Sequence, residues 1–199
     1  MTVTAQPAAD IRVTESLALE EPRYRRTRSR PAWLSLPLRL LARCSPATGS
    51  AGFVTGYAEV FRRHPEITSI VHVHTPWLGG WAQTHRTLRI KYAASQRLTL
   101  SRDIPPHIDR SQSPGNFILD RLVDDPDLVA TFEANGGVNV IGRDGLLELA
   151  KFVVLLEEGA QYQALGELVG GTVDFDKTNL VAQWGRSGLL DEARRRGLV

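Results

Sequence analysis

The feature that most constrains the fold is a β-branched run that ends at two histidines and leads directly into a helix start. Residues 67–74 read ITSIVHVH, an alternating pattern that predicts a strand. Thr75 and Pro76 follow at once, and such a pair is typical of the cap and first position of a helix. A strand followed so closely by a helix is a unit of an α/β fold.

Strands and helices continue to alternate along the chain. Helices are predicted at 57–64, from Pro76 through WLGGWAQTHR, from the cap Ser113, and over about 145–169, capped by Asp144 and ended by Gly170 and Gly171. Strands are predicted at RLTLS (97–101) and as two runs joined by Asn135-Gly136-Gly137. We therefore expect an α/β sandwich in which the long helix is largely buried.

Charge is distributed unevenly along the 199 residues. The formal net charge is +2, but residues 1–52 carry eight Arg against four acidic residues, and residues 53–199 carry sixteen basic against eighteen acidic residues. A near-neutral body offers no surface that follows a phosphate backbone, so nucleic acid is a disfavoured partner. The single cysteine, Cys44, excludes an internal disulfide and a cysteine zinc cage, and we expect a cytoplasmic protein. No apolar run approaches the roughly 18 residues that span a bilayer, so a membrane-integral protein is not expected.

The basic front end, residues 1–52, is expected to be a poorly ordered, Arg-rich extension, and residues 53–199 to be the folded domain. Three interpretations remain open for the extension: a transit peptide, a basic interaction arm, or an N-terminal region whose start or reading frame has changed. Four acidic residues within it count against a transit peptide.

The paired histidines suggest a metal site. Residues two apart on a strand share a face and stand about 6.6 Å apart, so the side chains of His72 and His74 can converge on one ion. Two ligands hold a metal loosely, and a third is required for a well-defined site. From spacing alone, an exposed strand end without a metal is an equal alternative.

Three blocks in order, RRHPEITSIVHVHTP, NGGVNVIGRD and LLEEGAQYQALGELVGG, resemble the class II aldolase/adducin family over residues 53–171. The resemblance implies a three-layer α/β/α sandwich around a mostly antiparallel sheet and a ring-shaped homotetramer. It also implies a divalent metal between subunits, with zinc expected first and iron or manganese as alternatives.

Carried over to this chain, the resemblance places two metal ligands on His72 and His74. The family's third histidine falls in the block that here reads Asn135-Gly136-Gly137, and its catalytic glutamate aligns with Phe53. The loops that bind the substrate phosphate have no counterpart in the Arg-rich front end. An ordinary sugar-phosphate aldolase is therefore disfavoured.

Other residues could complete the site. His107, in IPPHID, is the first substitute, and Asp109 beside it would give a two-histidine, one-carboxylate set suited to non-haem iron. His85 lies some 14 Å further along the next helix and could join only through a neighbouring subunit. Each of these is more often a surface residue, and His64 is interpreted as a helix-end residue.

Further polar and aromatic residues have a functional and a structural interpretation. Glu133 could reach the cleft or be an edge-strand carboxylate, and Glu157 and Glu158 could support the site or form ion pairs. The aromatic residues after the histidines could line a substrate pocket, although packing in the core is favoured: Trp77, Trp81 and Tyr92.

The expected function is a divergent, metal-dependent, lyase-type enzyme that acts on a non-phosphorylated small molecule. Two alternatives remain open: a non-catalytic, adducin-like interaction module or degenerate paralogue, and a non-haem iron oxygenase of secondary metabolism.

Overall fold

The computed structural model describes residues 2–5 and 50–199, with side chains from residue 56 onward. The helices are α1 (Ser50–Arg63), α2 (Pro76–Gln83), α3 (Ala93–Gln96), α4 (Pro114–Asp124), α5 (Leu146–Leu168), α6 (Lys177–Ser187) and α7 (Leu190–Arg195). The strands are β1 (Thr2–Ala5), β2 (Ser69–Val73), β3 (Leu88–Arg89), β4 (Asp103–Ile104), β5 (Pro106–His107), β6 (Ala130–Glu133) and β7 (Val138–Gly142).

The central sheet has five strands in the order β1-β2-β7-β6-β5, and β3 and β4 form a separate two-stranded sheet. The pairs β1–β2, β2–β7 and β7–β6 are antiparallel, whereas β6 and β5 are parallel. The expectation of a mostly antiparallel sheet is therefore corrected to a mixed sheet. The parallel pair arises because α4 forms a crossover between β5 and β6, and two consecutive parallel strands require such a connection.

Apolar side chains cover the central sheet on two faces. Val71 and Val73 of β2 pack with α2 and α5 in one cluster of buried residues. Ile70 of the same strand packs with α1 and α4 in another cluster. The alternation along β2 thus sends successive side chains to opposite helical layers, as the sequence pattern predicts.

Two glycines let α1 and α4 cross closely. A Cβ atom added to Gly115 would lie 2.1 Å from the carbonyl carbon of Gly56, a distance that excludes any side chain. Gly115 follows Pro114, which begins α4 behind the cap Ser113, whose Oγ accepts the backbone N–H of Asn116. The cap and first position predicted for this helix are confirmed.

Several predicted elements differ in the structure. Residues 97–101 form no strand, because α3 ends at Gln96 and the chain turns there to bury Leu100. Gly145, not Asp144, is the N-cap of α5; its φ of 87° favours glycine. The long helix is buried along one face only, and its opposite face exposes Leu147, Val154 and Leu168.

The last two helices pack on the loop after α3. Trp184 of α6 is 1 % exposed, and its indole N–H donates to the carbonyl oxygens of Gln96 and Thr99. Asp174, in the loop before α6, accepts hydrogen bonds from Arg102 and from Gln96. These contacts fix the C-terminal segment to the sheet domain.

The expected boundary between residues 52 and 53 falls inside α1. Strand β1 was not anticipated, and most of the Arg-rich extension, including Cys44, lies outside the described residues. Within the described part of the chain, no helix has the length and apolar character needed to cross a membrane.

Candidate metal centre

The two histidines project from the end of β2 toward each other. The Nε2 atoms of His72 and His74 lie 3.0 Å apart, and the rings meet edge to face at 4.7 Å. Zn–N bonds are about 2.0–2.1 Å long, so two imidazole nitrogens this close could both bind one ion. The pair therefore fits a divalent cation as two of its ligands.

The opposite nitrogen of His72 enters a buried polar network. His72 Nδ1 lies 3.0 Å from Asn139 Oδ1 and 3.4 Å from Glu133 Oε1. Asn139 Nδ2 donates to Glu133 Oε1 at 3.0 Å, and the Tyr57 hydroxyl donates to Asn139 Oδ1 at 2.7 Å. Arg110 Nη2 lies 3.4 Å from Glu133 Oε2 at the solvent side. The strand register explains the arrangement, because Asn139 of β7 pairs directly with His72.

Burial and charge act on two groups of this site. Burial lowers the pKa of His74, the neighbouring His72 lowers it further, and the charge of Glu133 opposes both effects. Burial and the charge of Glu133 raise the pKa of Tyr57 far above its ordinary value, against a smaller effect of Arg110. Tyr57 is therefore a neutral phenol whose O–H donates a hydrogen bond to Asn139 Oδ1.

A third protein ligand does not join the pair. Among residues 56–199, no three His, Cys, Asp or Glu side chains form a group that could hold a metal ion. Gly136 stands where the resemblance places a histidine, and the Nη1 of Arg110 lies 3.3 Å from the position of a Cβ added there. A Cβ on Gly137 would lie 2.3 Å from the Val73 carbonyl oxygen and 3.0 Å from His72 Nε2. The turn thus approaches the histidines with backbone only.

The predicted substitutes for the third ligand form no metal-binding group with the pair among the described residues, although His107 pairs with Glu133 across β5 and β6. His107 is 1 % exposed, stacks on Phe117 at 4.7 Å, and has no hydrogen-bond partner on either ring nitrogen within the described chain. Asp109 accepts hydrogen bonds from Ser111, and these lower the pKa of its carboxyl group. His107 and Asp109 therefore do not assemble with the His72–His74 pair in this chain.

The two remaining histidines have their own partners. His85 Nε2 is hydrogen-bonded to Asn135 Oδ1, and both residues adopt a φ of 55°, in the left-handed region. This bond holds the turn before Gly136 against the end of α2. His64 Nδ1 lies 3.0 Å from Glu66 Oε1, just after α1 ends.

The aromatic residues proposed as a pocket contact α5. Trp81 is 7 % exposed and its indole N–H donates to the Ala160 carbonyl oxygen. The Tyr92 hydroxyl donates to Glu158. Trp77 is partly buried against the core. Their role in lining a substrate pocket stays a prediction.

Glu157 has a structural role that the sequence did not reveal. Its carboxylate accepts the backbone N–H groups of Trp77 and Leu78, at 2.8 and 2.9 Å, and the hydroxyl of Thr75 at 2.6 Å. A carboxylate at a helix N-terminus also interacts favourably with the helix dipole. Glu157 therefore fixes the first turn of α2, immediately after His74.

Sequence reasoning missed Asn139, Tyr57 and Arg110. The sequence does contain a signal for Asn139, because this polar residue interrupts the apolar run VNVIG, which forms a fully buried strand. Tyr57 begins the helix predicted at 57–64, and Arg110 lies between the predicted elements. Their convergence depends on tertiary packing between residues far apart in sequence.

Two cavities in the described part of the chain lie away from the histidines. One of about 480 Å³ is lined by Arg102, Arg121, Arg196 and Asp125, among others, and one of about 390 Å³ lies beside Arg143 and α5. Neither has His72 or His74 in its wall. The chemistry of the histidine pair, rather than cavity size, therefore marks the candidate site.

Comparison with known proteins defines the family. Residues 46–164 match the model of the class II aldolase and adducin N-terminal domain. The chain belongs to the class II aldolase and adducin family, and its identity to solved structures is low enough to make it a divergent member. No curated protein matches the chain significantly by sequence.

Solved structures share the fold. An L-fuculose 1-phosphate aldolase superposes with a TM-score of 0.53 at 14 % identity, covering 68 % of this chain and 62 % of its own. L-fuculose 1-phosphate aldolase from Glaciozyma antarctica PI12 gives 0.51 at 17 %, covering 67 % and 49 %. The L-fuculose-1-phosphate aldolase from Thermus thermophilus gives 0.50 at 20 %, covering 60 % and 63 %. The matched region thus spans about half to two thirds of these structures.

Proposed function

We propose that this protein is a divalent-metal-dependent, lyase-type enzyme that acts on a small, non-phosphorylated molecule. The observation that carries the proposal is the 3.0 Å approach of His72 Nε2 and His74 Nε2. Zinc is the first candidate ion and iron or manganese are alternatives, because imidazole ligands suit all of these metals.

Each part of the site would have one role. A bound divalent ion supplies Lewis acidity to an oxygen of the substrate. His72 and His74 would hold the ion, and the turn at Gly136 and Gly137 brings only backbone close to it. The lack of counterparts to the family's phosphate loops supports a substrate without a phosphate group.

A non-catalytic interaction module is the second candidate function. Gly136 in place of the third histidine and Phe53 in place of the family's glutamate favour it. The iron oxygenase alternative has less support, because the Asp109 carboxylate is hydrogen-bonded to Ser111 rather than assembled with the histidines.

Finer features of the family belong to the same proposal. Helices α1 and α4 on one face of the sheet, and α2 and α5 on the other, support a three-layer arrangement. The exposed apolar face of α5 supports a homo-oligomer, which we infer to be the family's tetramer. We also infer a cytoplasmic location.

The first experiment is metal analysis of the full chain, purified without chelator and then titrated with zinc. We expect close to one ion per chain in the wild type and loss of it in a His72→Ala, His74→Ala double variant. A His64→Ala variant is the control, because it also removes an imidazole, one that contacts Glu66, but leaves the pair intact. Zinc binding that survives loss of His72 and His74 would refute the site.

The second experiment tests catalysis on the metal-loaded protein. Small β-hydroxy carbonyl compounds, with and without a phosphate ester, are assayed for cleavage into two carbonyl products. We expect cleavage of non-phosphorylated compounds that disappears in the His72→Ala, His74→Ala variant. Stoichiometric metal without cleavage of any compound would favour the interaction module.

A further inference from the structure

Asn139 is a fully buried amide at the centre of the sheet, directly opposite His72. Its neighbours along β7, Val138 and Val140, are also fully buried. Burying an amide is unfavourable unless its hydrogen bonds are made, and Asn139 has partners at both ends of its side chain. The three bonds point to a specific task for this residue.

The bonds determine which way the amide faces. Asn139 Nδ2 lies 3.0 Å from Glu133 Oε1, and a carboxylate can only accept a hydrogen bond. The reversed amide would place two acceptors, Oδ1 and Oε1, in contact beside a 3 % exposed glutamate. The amide nitrogen therefore faces Glu133, and Oδ1 faces His72 and Tyr57.

The direction of the amide in turn determines the tautomer of His72. Oδ1 accepts the phenol proton of Tyr57 at 2.7 Å and can only accept from His72 Nδ1 at 3.0 Å. His72 Nδ1 must therefore carry the proton, and Glu133 Oε1 at 3.4 Å favours the same state. The lone pair of a neutral imidazole then lies on Nε2, the atom that faces His74.

We propose that Asn139 is a positioning residue that holds His72 as the Nδ1–H tautomer, with Glu133 and Tyr57 fixing the amide. The inference rests on the proposed metal site, because the Nε2 lone pair is the one that a cation at the His72–His74 pair would use. A ligating histidine commonly donates its other N–H to such a partner, and loss of the partner typically weakens metal binding about 10- to 100-fold.

The same network has a simpler interpretation as core packing. The hydrogen bonds fix the same tautomer in either case, but packing alone does not make zinc affinity depend on that tautomer, so the two measured together separate the interpretations. Thr131 provides the matched control: it pairs with Asn139 on the sheet, is fully buried, and its hydroxyl has no hydrogen-bond partner among the described residues. Thr131→Val removes one buried polar group next to Asn139 and leaves His72 untouched.

The test is long-range ¹H–¹⁵N correlation spectroscopy of the metal-free full chain labelled with ¹⁵N-histidine, together with zinc titration. His72 signals are assigned by their absence in His72→Ala. We expect a protonated Nδ1 and an unprotonated Nε2 in the wild type and in Thr131→Val. In Asn139→Leu only Glu133, at 3.4 Å, still faces Nδ1, so we expect a larger share of the Nε2–H tautomer and a zinc affinity lowered about 10- to 100-fold.

An exchange variant provides the rescue. Asn139→Asp combined with Glu133→Gln swaps the amide and the carboxylate, so that an acceptor still faces His72 Nδ1 and an amide donor still joins the two side chains. We expect this variant to regain the wild-type tautomer and most of the zinc affinity. If Asn139→Leu fails to fold, the exchange variant and the wild-type spectrum still test the proposal.

The outcomes separate this inference from the proposed function. A wild-type His72 protonated on Nε2, or an Asn139→Leu variant identical to Thr131→Val in tautomer and zinc affinity, would overturn the positioning role. A wild-type protein with the expected tautomer but no zinc binding would instead overturn the proposed metal site.

Discussion

Glu157 of α5 binds the N-terminus of α2 through Trp77, whose backbone N–H donates to Glu157 Oε1 at 2.8 Å. The same carboxylate takes two further hydrogen bonds from this first turn. Because α2 begins two residues after His74, the long helix fixes the position from which that histidine leaves the strand. One side chain thereby links the core layer to the candidate site.

Replacing Glu157 with alanine should therefore lower the free energy of unfolding by about 2–3 kcal/mol, because charge-assisted backbone hydrogen bonds and a helix cap are lost together. Zinc affinity should fall as well, since His74 loses its support. Chemical denaturation and zinc titration measure the two effects. Glu148→Ala on the same helix is the control: its exposed pair with Lys151 predicts a change within about 0.5 kcal/mol. Equal effects of the two variants would show that the cap contributes little.

Installing histidine at residue 136 should strengthen the metal site. Gly136 does not have a positive φ, and a Cβ there would meet Glu133 Cβ at 3.2 Å and both the Glu133 carbonyl oxygen and the flexible end of Arg110 at 3.3 Å. A side chain therefore fits if these neighbours shift by a few tenths of an ångström. Gly136→His should raise zinc affinity by about tenfold or more, because three protein ligands hold zinc better than two. Gly136→Ala is the control for the added Cβ. Unchanged affinity in the histidine variant would mean that the turn does not face the ion.

Gly137 should tolerate no side chain. A Cβ at 2.3 Å from the Val73 carbonyl oxygen and 3.0 Å from His72 Nε2 forces the turn away from β2. Gly137→Ala should cost about 1–3 kcal/mol of stability and should weaken zinc binding, whereas Gly136→Ala should do neither to the same extent. Thermal unfolding and zinc titration of the two alanine variants, side by side, measure the difference. Similar behaviour of the two variants would contradict the close approach.

Replacing His107 with phenylalanine should stabilise the protein by about 1 kcal/mol. Both ring nitrogens are buried without a hydrogen-bond partner in the described chain, and a second phenyl ring can keep the stack on Phe117. Zinc affinity should be unchanged, because His107 does not group with the pair. Denaturant unfolding and zinc titration measure both quantities. A large loss of zinc affinity would make His107 the third ligand after all.

The C-terminal segment should loosen in acid. Burial raises the pKa of Asp174, but hydrogen bonds from Arg102, Arg89 and Gln96 outweigh it and lower the pKa below its ordinary value of 3.8. A carboxyl group whose pKa is lower in the folded than in the unfolded state adds stability that is full above about pH 4 and is lost as the pH falls through the folded-state pKa. Wild type and Asp174→Asn should thus differ by about 1 kcal/mol at pH 6, a modest value because the carboxylate is partly exposed, and converge as the pH falls below the folded-state pKa. Urea unfolding at several pH values checks this, and a gap of constant size would contradict it.

Sequence patterns predicted those strands, helix starts and turns that depend on neighbouring residues alone. The alternation of residues 67–74 predicted β2, Ser113 and Pro114 predicted the start of α4, and the Asn-Gly-Gly turn predicted the β6–β7 pair. The strand predicted for RLTLS is absent because only Leu100 is buried, in a turn packed against Trp184, whereas Leu98 is exposed; this packing is visible only in the tertiary fold. The N-cap of α5 moved to Gly145 for a similar reason, since its N–H is bound by the Thr68 hydroxyl.

The candidate site was predictable only in part. His72 and His74 are two residues apart, so their convergence follows from strand geometry alone. Asn139, Glu133 and Arg110 join them through strand pairing and loop packing, and no spacing in the sequence encodes those contacts. The mixed sheet was missed because β5 is only two residues long and is recognisable mainly through the crossover that follows it.

The hydrogen bonds around Asn139 join residues 67 and 82 positions apart in the chain. Contacts of such long range form after the entropy of closing large loops has been overcome, so the site should be complete only late in folding. A cation that binds there would accordingly stabilise the native state without accelerating folding. Zinc should raise the melting temperature in proportion to the logarithm of its concentration above saturation, while leaving the rate of refolding nearly unchanged.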